Sequence, residues 1–178
     1  MTCPGYSRPM TYAGDRLVFD ADSHVMELPG WLEEFADGST ADSLRPLALG
    51  GAGALAERAV EEAAARQAGG VATLDPDPIA LLRSKGWGAV GAFDSTERSF
   101  VLDQLGFAAQ LVFPTFAATQ FAGNDLDLLY GGSDALNRAM AAFCADDGRM
   151  LAVASVPWGD PTRTVETARR AIAEGCRA

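Results

Sequence analysis

The sequence predicts an α/β fold built on a parallel sheet, and three observations lead there. Three short β-rich runs, Leu17-Val18-Phe19, Gln110-Leu111-Val112-Phe113 and Met150 to Val156, alternate with stretches of helical character. The last two strand-to-strand intervals suit βαβ crossovers between parallel neighbours, and antiparallel hairpin signals are almost absent. Such alternation has two homes, an open doubly wound sheet or the first part of a (β/α)8 barrel, and pattern alone does not choose between them.

Taken in order, residues 1–15 hold prolines and glycines without apolar periodicity and are expected to be a loose leader. Arg16 to Val25 then suits a buried strand whose end opens into a site, because the apolar run gives way to acidic and small residues. Pro29, Trp31, Leu32 and Phe35 predict a short helix that stops at Gly38. Residues 41–70 are compositionally biased: Gly50-Gly51-Ala52-Gly53 leads into Ala54 to Gln67, which is helical by propensity and ends at Gly69-Gly70. An alanine face buries little area, so this segment is expected to be a peripheral insertion in a domain spanning 16–178.

Helices are predicted over Asp75 to Lys85 and Asp94 to Leu105, the second with Asp94 and Glu97 in a capping-box spacing. Phe107 to Thr115 is the second strand, closed by Pro114. Gly132 to Cys144 follows as an amphipathic helix with Leu136, Met140 and Phe143 on one stripe and Ser133 or Asp134 as cap. Met150 to Val156 is the third strand, stopped by Pro157. Asp160-Pro161 opens a last helix, with Val165, Ala168 and Ile172 expected inward and Gly175 at its end, after which Cys176-Arg177-Ala178 begins a further element.

Composition narrows the function classes. With 178 residues, 48% of them hydrophobic and 21% charged, the chain is long enough for one domain with a real core. Fourteen Lys plus Arg against 24 Asp plus Glu give a formal charge of −10, which repels phosphate backbones and anionic lipid, so neither nucleic acid nor a membrane surface is an expected partner. The cysteines at 3, 144 and 176 form neither a CxxC pair nor a disulfide framework, which fits a reducing cytoplasm. No signal-peptide core and no run of roughly 20 apolar residues is present. Gly86-Trp87-Gly88-Ala89-Val90-Gly91 has GxGxxG spacing but follows a predicted helix and no strand, and no GxxxxGK[ST] pattern occurs, which argues against nucleotide binding.

Chemistry concentrates in Phe19-Asp20-Ala21-Asp22-Ser23-His24-Val25-Met26-Glu27, which holds the only histidine of the chain. Strict strand alternation would put Asp20, Asp22 and His24 on one face and Phe19, Ala21 and Ser23 on the other. A carboxylate and an imidazole two residues apart can meet one ion, and that donor pair suits Zn²⁺, Mn²⁺ or Fe²⁺. The plainer alternative is a hydrogen-bonded structural histidine, since two ligands do not make a zinc site. Glu27 is a candidate acceptor for the imidazole, or else a solvated loop carboxylate. Thr115 and Trp158 follow the second and third strands, on the side where barrel enzymes place their active-site loops. Trp158 could stack on a flat substrate or serve only in packing. Cys144, on an amphipathic helix, is expected to be packed inside.

That first-strand segment, with Gln110-Leu111-Val112-Phe113-Pro114-Thr115, Ala135-Leu136-Asn137-Arg138-Ala139-Met140 and Val156-Pro157-Trp158-Gly159-Asp160, resembles the opening of the amidohydrolase-related family, in the branch that includes aminocarboxymuconate-semialdehyde decarboxylase. The resemblance covers roughly residues 16–178. It implies a partial (β/α)8 TIM-type barrel comprising the first three strands, with Asp22 and His24 at the metal-ligand positions of the first strand. Asp22 stands where a histidine or glutamate is commoner. It also implies a divalent metal, zinc foremost and manganese as the other candidate, and a small carboxylate-bearing substrate undergoing hydrolysis or non-oxidative decarboxylation. The family's remaining ligands come from later strands, and a barrel of about 250 residues is longer than this sequence. The chain alone is therefore expected to lack competent catalysis. It could be a homo-oligomer or pair with a complementing C-terminal chain. The alternatives are a non-catalytic fragment or split-barrel subunit, and a small flavodoxin-like binding domain in which the Asp22–His24 pair is incidental.

Overall fold

The computed structural model describes residues 11–70 and 74–178. Three parallel strands, β1 (Phe19–His24), β2 (Ala109–Phe113) and β3 (Met150–Ala152), form one sheet in the order β1-β2-β3. β1 and β2 lie within the predicted segments 16–25 and 107–115, and β3 ends at Ala152, short of the predicted Val156. This monotonic order departs from the flavodoxin-like arrangement, in which the first strand lies between the second and third.

Among the described residues there are six α-helices: α1 (Gly38–Ala41), α2 (Gly53–Gly69), α3 (Pro78–Arg83), α4 (Ser95–Leu105), α5 (Leu126–Cys144) and α6 (Pro161–Glu174). Leu102 of α4 and Leu136 and Met140 of α5 close over Val112 and Ala152, and all five are almost fully buried in one cluster with Val25 and Leu32. Both crossover helices thus lie on the same face of the sheet, and α6 packs on α5. After α6 the backbone turns back: Arg177 N donates to Ala152 O at 2.9 Å, and Ala154 N donates to Ala178 O at 2.7 Å. Residues 177–178 therefore run along β3 on the edge away from β2, bonded in the pattern of a parallel ladder.

Several local expectations change. The helix predicted to begin at Gly132 begins at Leu126, with Asp125 Oδ1 capping the amides of Asp127 and Leu128 at 3.0 and 3.2 Å. Ser133 and Asp134 are buried inside it and cap nothing. Gly131 and Gly132 lie within the helix and are contact points: a Cβ on Gly132 would lie 2.2 Å from the Phe121 ring, and one on Gly131 would lie 2.4 Å from the Thr40 hydroxyl. The helix predicted after Pro29 is a single 3-10 turn at Glu33–Phe35, and Gly38 starts α1 where it was expected to stop a helix.

Helix α6 buries Thr164, Thr167 and Ala171, leaving Val165 and Ile172 48% and 66% exposed, the reverse of the predicted face. Asp94 caps α4 through the Glu97 amide at 2.7 Å, but the Glu97 carboxylate does not complete a capping box; it takes Arg66 at 3.0 and 3.1 Å and the Gly91 amide at 3.0 Å. That ion pair holds α2 to α4. The alanine face of α2 (Ala56, Ala59) packs on Trp87 together with Met26, Leu28 and Phe116, so the insertion covers residues that follow β1 and β2. Residues 1–10 of the expected leader lie outside the described residues. Beyond them Ala13 is buried, its amide bonded to Leu105 O at 2.8 Å.

Candidate functional site

The geometry of the site starts from an irregularity in β1. Asp20 pairs with Gln110 and Ser23 with Val112, so three steps along β1 match two along β2, the signature of a β-bulge at residues 21–22. An added residue reverses the alternation beyond it. Asp20 and Ser23 consequently share the helix-covered face: Gln110 Nε2 donates to Asp20 Oδ2 at 3.0 Å, and Ser23 Oγ donates to Gln110 Oε1 at 3.4 Å. The expected trio of Asp20, Asp22 and His24 is thus divided. Asp20 spends its other oxygen on the Asp22 amide at 3.0 Å, a turn that shapes the bulge.

Asp22 and His24 do meet. Asp22 Oδ1 lies 3.3 Å from His24 Nε2 on the opposite face of the sheet, which carries the half-buried Leu111, Phe113, Leu151 and Val153. The carboxylate is exposed, and the imidazole is stacked on Phe113 with ring centroids 5.7 Å apart. On the other side of the ring, His24 Nδ1 is 3.3 Å from the Thr115 hydroxyl, which itself donates to Val25 O at 2.7 Å.

Glu27 is 1% exposed and does not touch the imidazole. Its carboxylate accepts the successive amides of Thr115, Phe116 and Ala117 at 2.7, 2.9 and 3.3 Å, pinning the turn after β2 to the segment after β1. Trp87 Nε1 donates to Glu27 O at 3.2 Å, and its ring stacks on Phe116 at 5.2 Å. Trp158, after β3, is 87% exposed and neither packs in the core nor contacts the Asp22–His24 pair by hydrogen bond or ring stacking.

Arg98 is the participant that sequence reasoning missed. It is 7% exposed, and its guanidinium donates to Gly91 O at 2.7 Å, Ser23 Oγ at 2.5 Å and His24 O at 2.8 Å. Burial lowers its pKa from the ordinary guanidinium value, against the opposing pull of Asp20. The backbone of His24 is therefore clamped from the helix side while its ring is held from the open side. Gln110 was the available signal, because a polar residue inside an apolar strand needs buried partners.

The donor chemistry fits part of a divalent metal site. One carboxylate and one imidazole face each other on an accessible surface, but no cluster of three or more His, Cys, Asp or Glu able to hold a metal occurs among the described residues. Cys144 and Cys176 are buried free thiols, and burial pushes Cys144 up to about 12, which makes it inert as a ligand or nucleophile. Among the described residues, no helix is long and apolar enough to cross a membrane. Scanned against protein-family models and against curated proteins, the sequence matches none.

Proposed function

We propose that this chain is the N-terminal section of a metal-dependent (β/α)8 enzyme of the amidohydrolase-related type, a hydrolase or non-oxidative carboxy-lyase acting on a small carboxylate-bearing molecule. The observation that carries the reading is the Asp22–His24 pair, held 3.3 Å apart at the C-terminal end of β1 on the sheet face that no helix among the described residues covers. Two features support the barrel. The strand order does not reverse, and the ladder continues on the far edge of β3 through residues 177–178. In a barrel the uncovered face becomes the interior, and the loops after the strands become the active-site rim.

Asp22 and His24 would supply two ligands to a zinc or manganese ion, and further ligands would come from other strands. Lewis acidity toward a substrate oxygen or a water is the chemistry that such an ion would supply there. Residues of the chain itself orient the ligands: Arg98 fixes the His24 backbone, and Thr115 and Phe113 fix its ring. Trp158, exposed after β3, offers a flat surface for a conjugated substrate. Elemental analysis after chelation and refilling with Zn²⁺ or Mn²⁺ tests the reading. The expected result is retained metal that His24→Ala abolishes; retention equal in both proteins would refute a role for the pair.

A second reading is a split-barrel subunit completed by another chain. The exposed Val165 and Ile172 of α6 and the half-open sheet face favour it. Sedimentation of the purified chain, alone and with the candidate second half, distinguishes a self-contained monomer from a complementing one.

A further inference from the structure

We infer that Tyr130 is a positioning residue for Trp158: together with Thr164 it clamps the loop between β3 and α6, so that the indole is held out in solvent as a preformed stacking platform for a planar, conjugated ring. Of the three tryptophans, Trp87 is buried, Trp31 is half-buried and Trp158 is 87% exposed. A mobile loop would let so large an apolar ring settle against the protein and leave water. This loop is not free to do so.

Helix α5 grips it at two levels. The buried Asn137 side chain accepts the Ser155 amide at 2.7 Å and donates to Ser155 O at 3.0 Å, as a neighbouring strand would. Two turns earlier on the helix, the buried Tyr130 hydroxyl accepts the Asp160 amide at 2.8 Å and lies 2.9 Å from Asp160 O and 3.3 Å from Pro157 O. Thr164 Oγ1, 3.0 Å from that hydroxyl, lies 2.6 Å from Pro157 O and 2.7 Å from Asp160 O. Carbonyls only accept, so the two hydroxyl protons are committed to these two carbonyls. Trp158 and Gly159 stand between them and are the only exposed residues from Leu151 to Asp160. The Gly159 backbone rests on Leu126, since a Cβ there would lie 2.7 Å from Leu126 Cδ2. An apex of two residues held on both sides cannot retract.

A flat ring that covers this indole removes apolar surface of both partners from water and does not bear the cost of ordering the loop. Because the strands are parallel, Trp158 follows β3 at the same end of the sheet as His24 and Thr115. That the ring belongs to a substrate rests on the function proposed above; the platform itself does not.

The test follows the Trp158 indole and backbone N–H signals of the ¹⁵N-labelled chain, identified with Trp158→Phe. Benzoate and cyclohexanecarboxylate share a carboxylate and differ in planarity. Benzoate is expected to shift the indole signal saturably, and the saturated ring to bind more weakly. The native Trp158 amide is expected to have an order parameter of about 0.85, as rigid backbone does. Tyr130→Phe keeps the ring and removes the hydroxyl; it is expected to lower that value below about 0.6 while the β3 amides stay rigid. Benzoate binding should weaken about 2- to 10-fold in the same variant, and Thr164→Ser, which retains its hydroxyl, should behave as the native chain. A mobile native Trp158, or equal response to the two carboxylates, overturns the platform without recourse to any variant. An unchanged order parameter in Tyr130→Phe overturns the role of Tyr130. Zinc retention measured beside these titrations separates the two proposals: benzoate binding at Trp158 without zinc leaves this inference standing and removes the metal reading, and zinc without benzoate does the reverse.

Discussion

The two faces of the sheet are built from alternate residues of the same strands and have opposite fates. Gln110, Val112, Met150 and Ala152 are buried under α4 and α5, whereas Leu111, Phe113, Leu151 and Val153 on the other face remain half-buried, with His24 and Asp22 more open still. Apolar content does not separate them, since Leu111 and Phe113 are larger than Val112 and Ala152. What differs is the cover. Crossover helices close one face, and no helix among the described residues closes the other. The closed face thus supplies cohesion, and the open one presents chemistry at its C-terminal end.

The contrast is most directly broken by truncating one residue on each side. Met140→Ala, which truncates a fully buried side chain, is expected to cost about 3 kcal/mol in denaturant unfolding. Leu111→Ala on the open face should cost about 1 kcal/mol or less. Equal losses would mean that the open face is covered in solution. A smaller effect is expected where α5 meets Phe121. Gly132→Ala places a methyl in the ring and should cost about 2 kcal/mol, while Gly148→Ala, with open space around it, should be close to neutral.

A further effect is electrostatic and belongs to the turn into β3, where Asp147 bonds Arg149 with its shortest contact at 2.6 Å. The hydrogen bond from Arg149 lowers the Asp147 carboxyl from 3.8 to about 2. Because its folded value is depressed, this group stabilises the fold fully above pH 3.8, and its contribution is lost as pH falls from there toward about 2. Asp147→Asn should therefore cost about 1 to 2 kcal/mol at neutral pH and flatten the stability profile across that acid window. An unchanged profile would place the acid sensitivity of the chain elsewhere.

Much of this was legible beforehand, and the exceptions share a cause. The three strands, the Asp94 cap and the helix after Asp160-Pro161 follow from residue types acting on their own backbone. The divided trio of Asp20, Asp22 and His24 does not, because a one-residue bulge in β1 depends on what β2 offers opposite it. Nor does the outward face of α6, where Thr164 is buried against Tyr130 with a bond of 3.0 Å while Val165 and Ile172 stay exposed. At the site, the proximity of Asp22 to His24 could be read from their spacing. The engagement of Glu27 with residues 115–117, and of Arg98 with His24, spans some 70 to 90 positions and left no local trace.

By itself, then, the sequence determined element types, the parallel α/β class, a strongly acidic chain and one histidine beside one aspartate. These depend on local propensity, apolar period and composition, which operate over a few residues. Tertiary structure alone decided which sheet face is covered, which side of the bulge each carboxylate takes, and which hydroxyl meets the imidazole. Those outcomes are set by groups distant in sequence competing for the same buried hydrogen bonds, and that competition is resolved only when the strands and helices pack together.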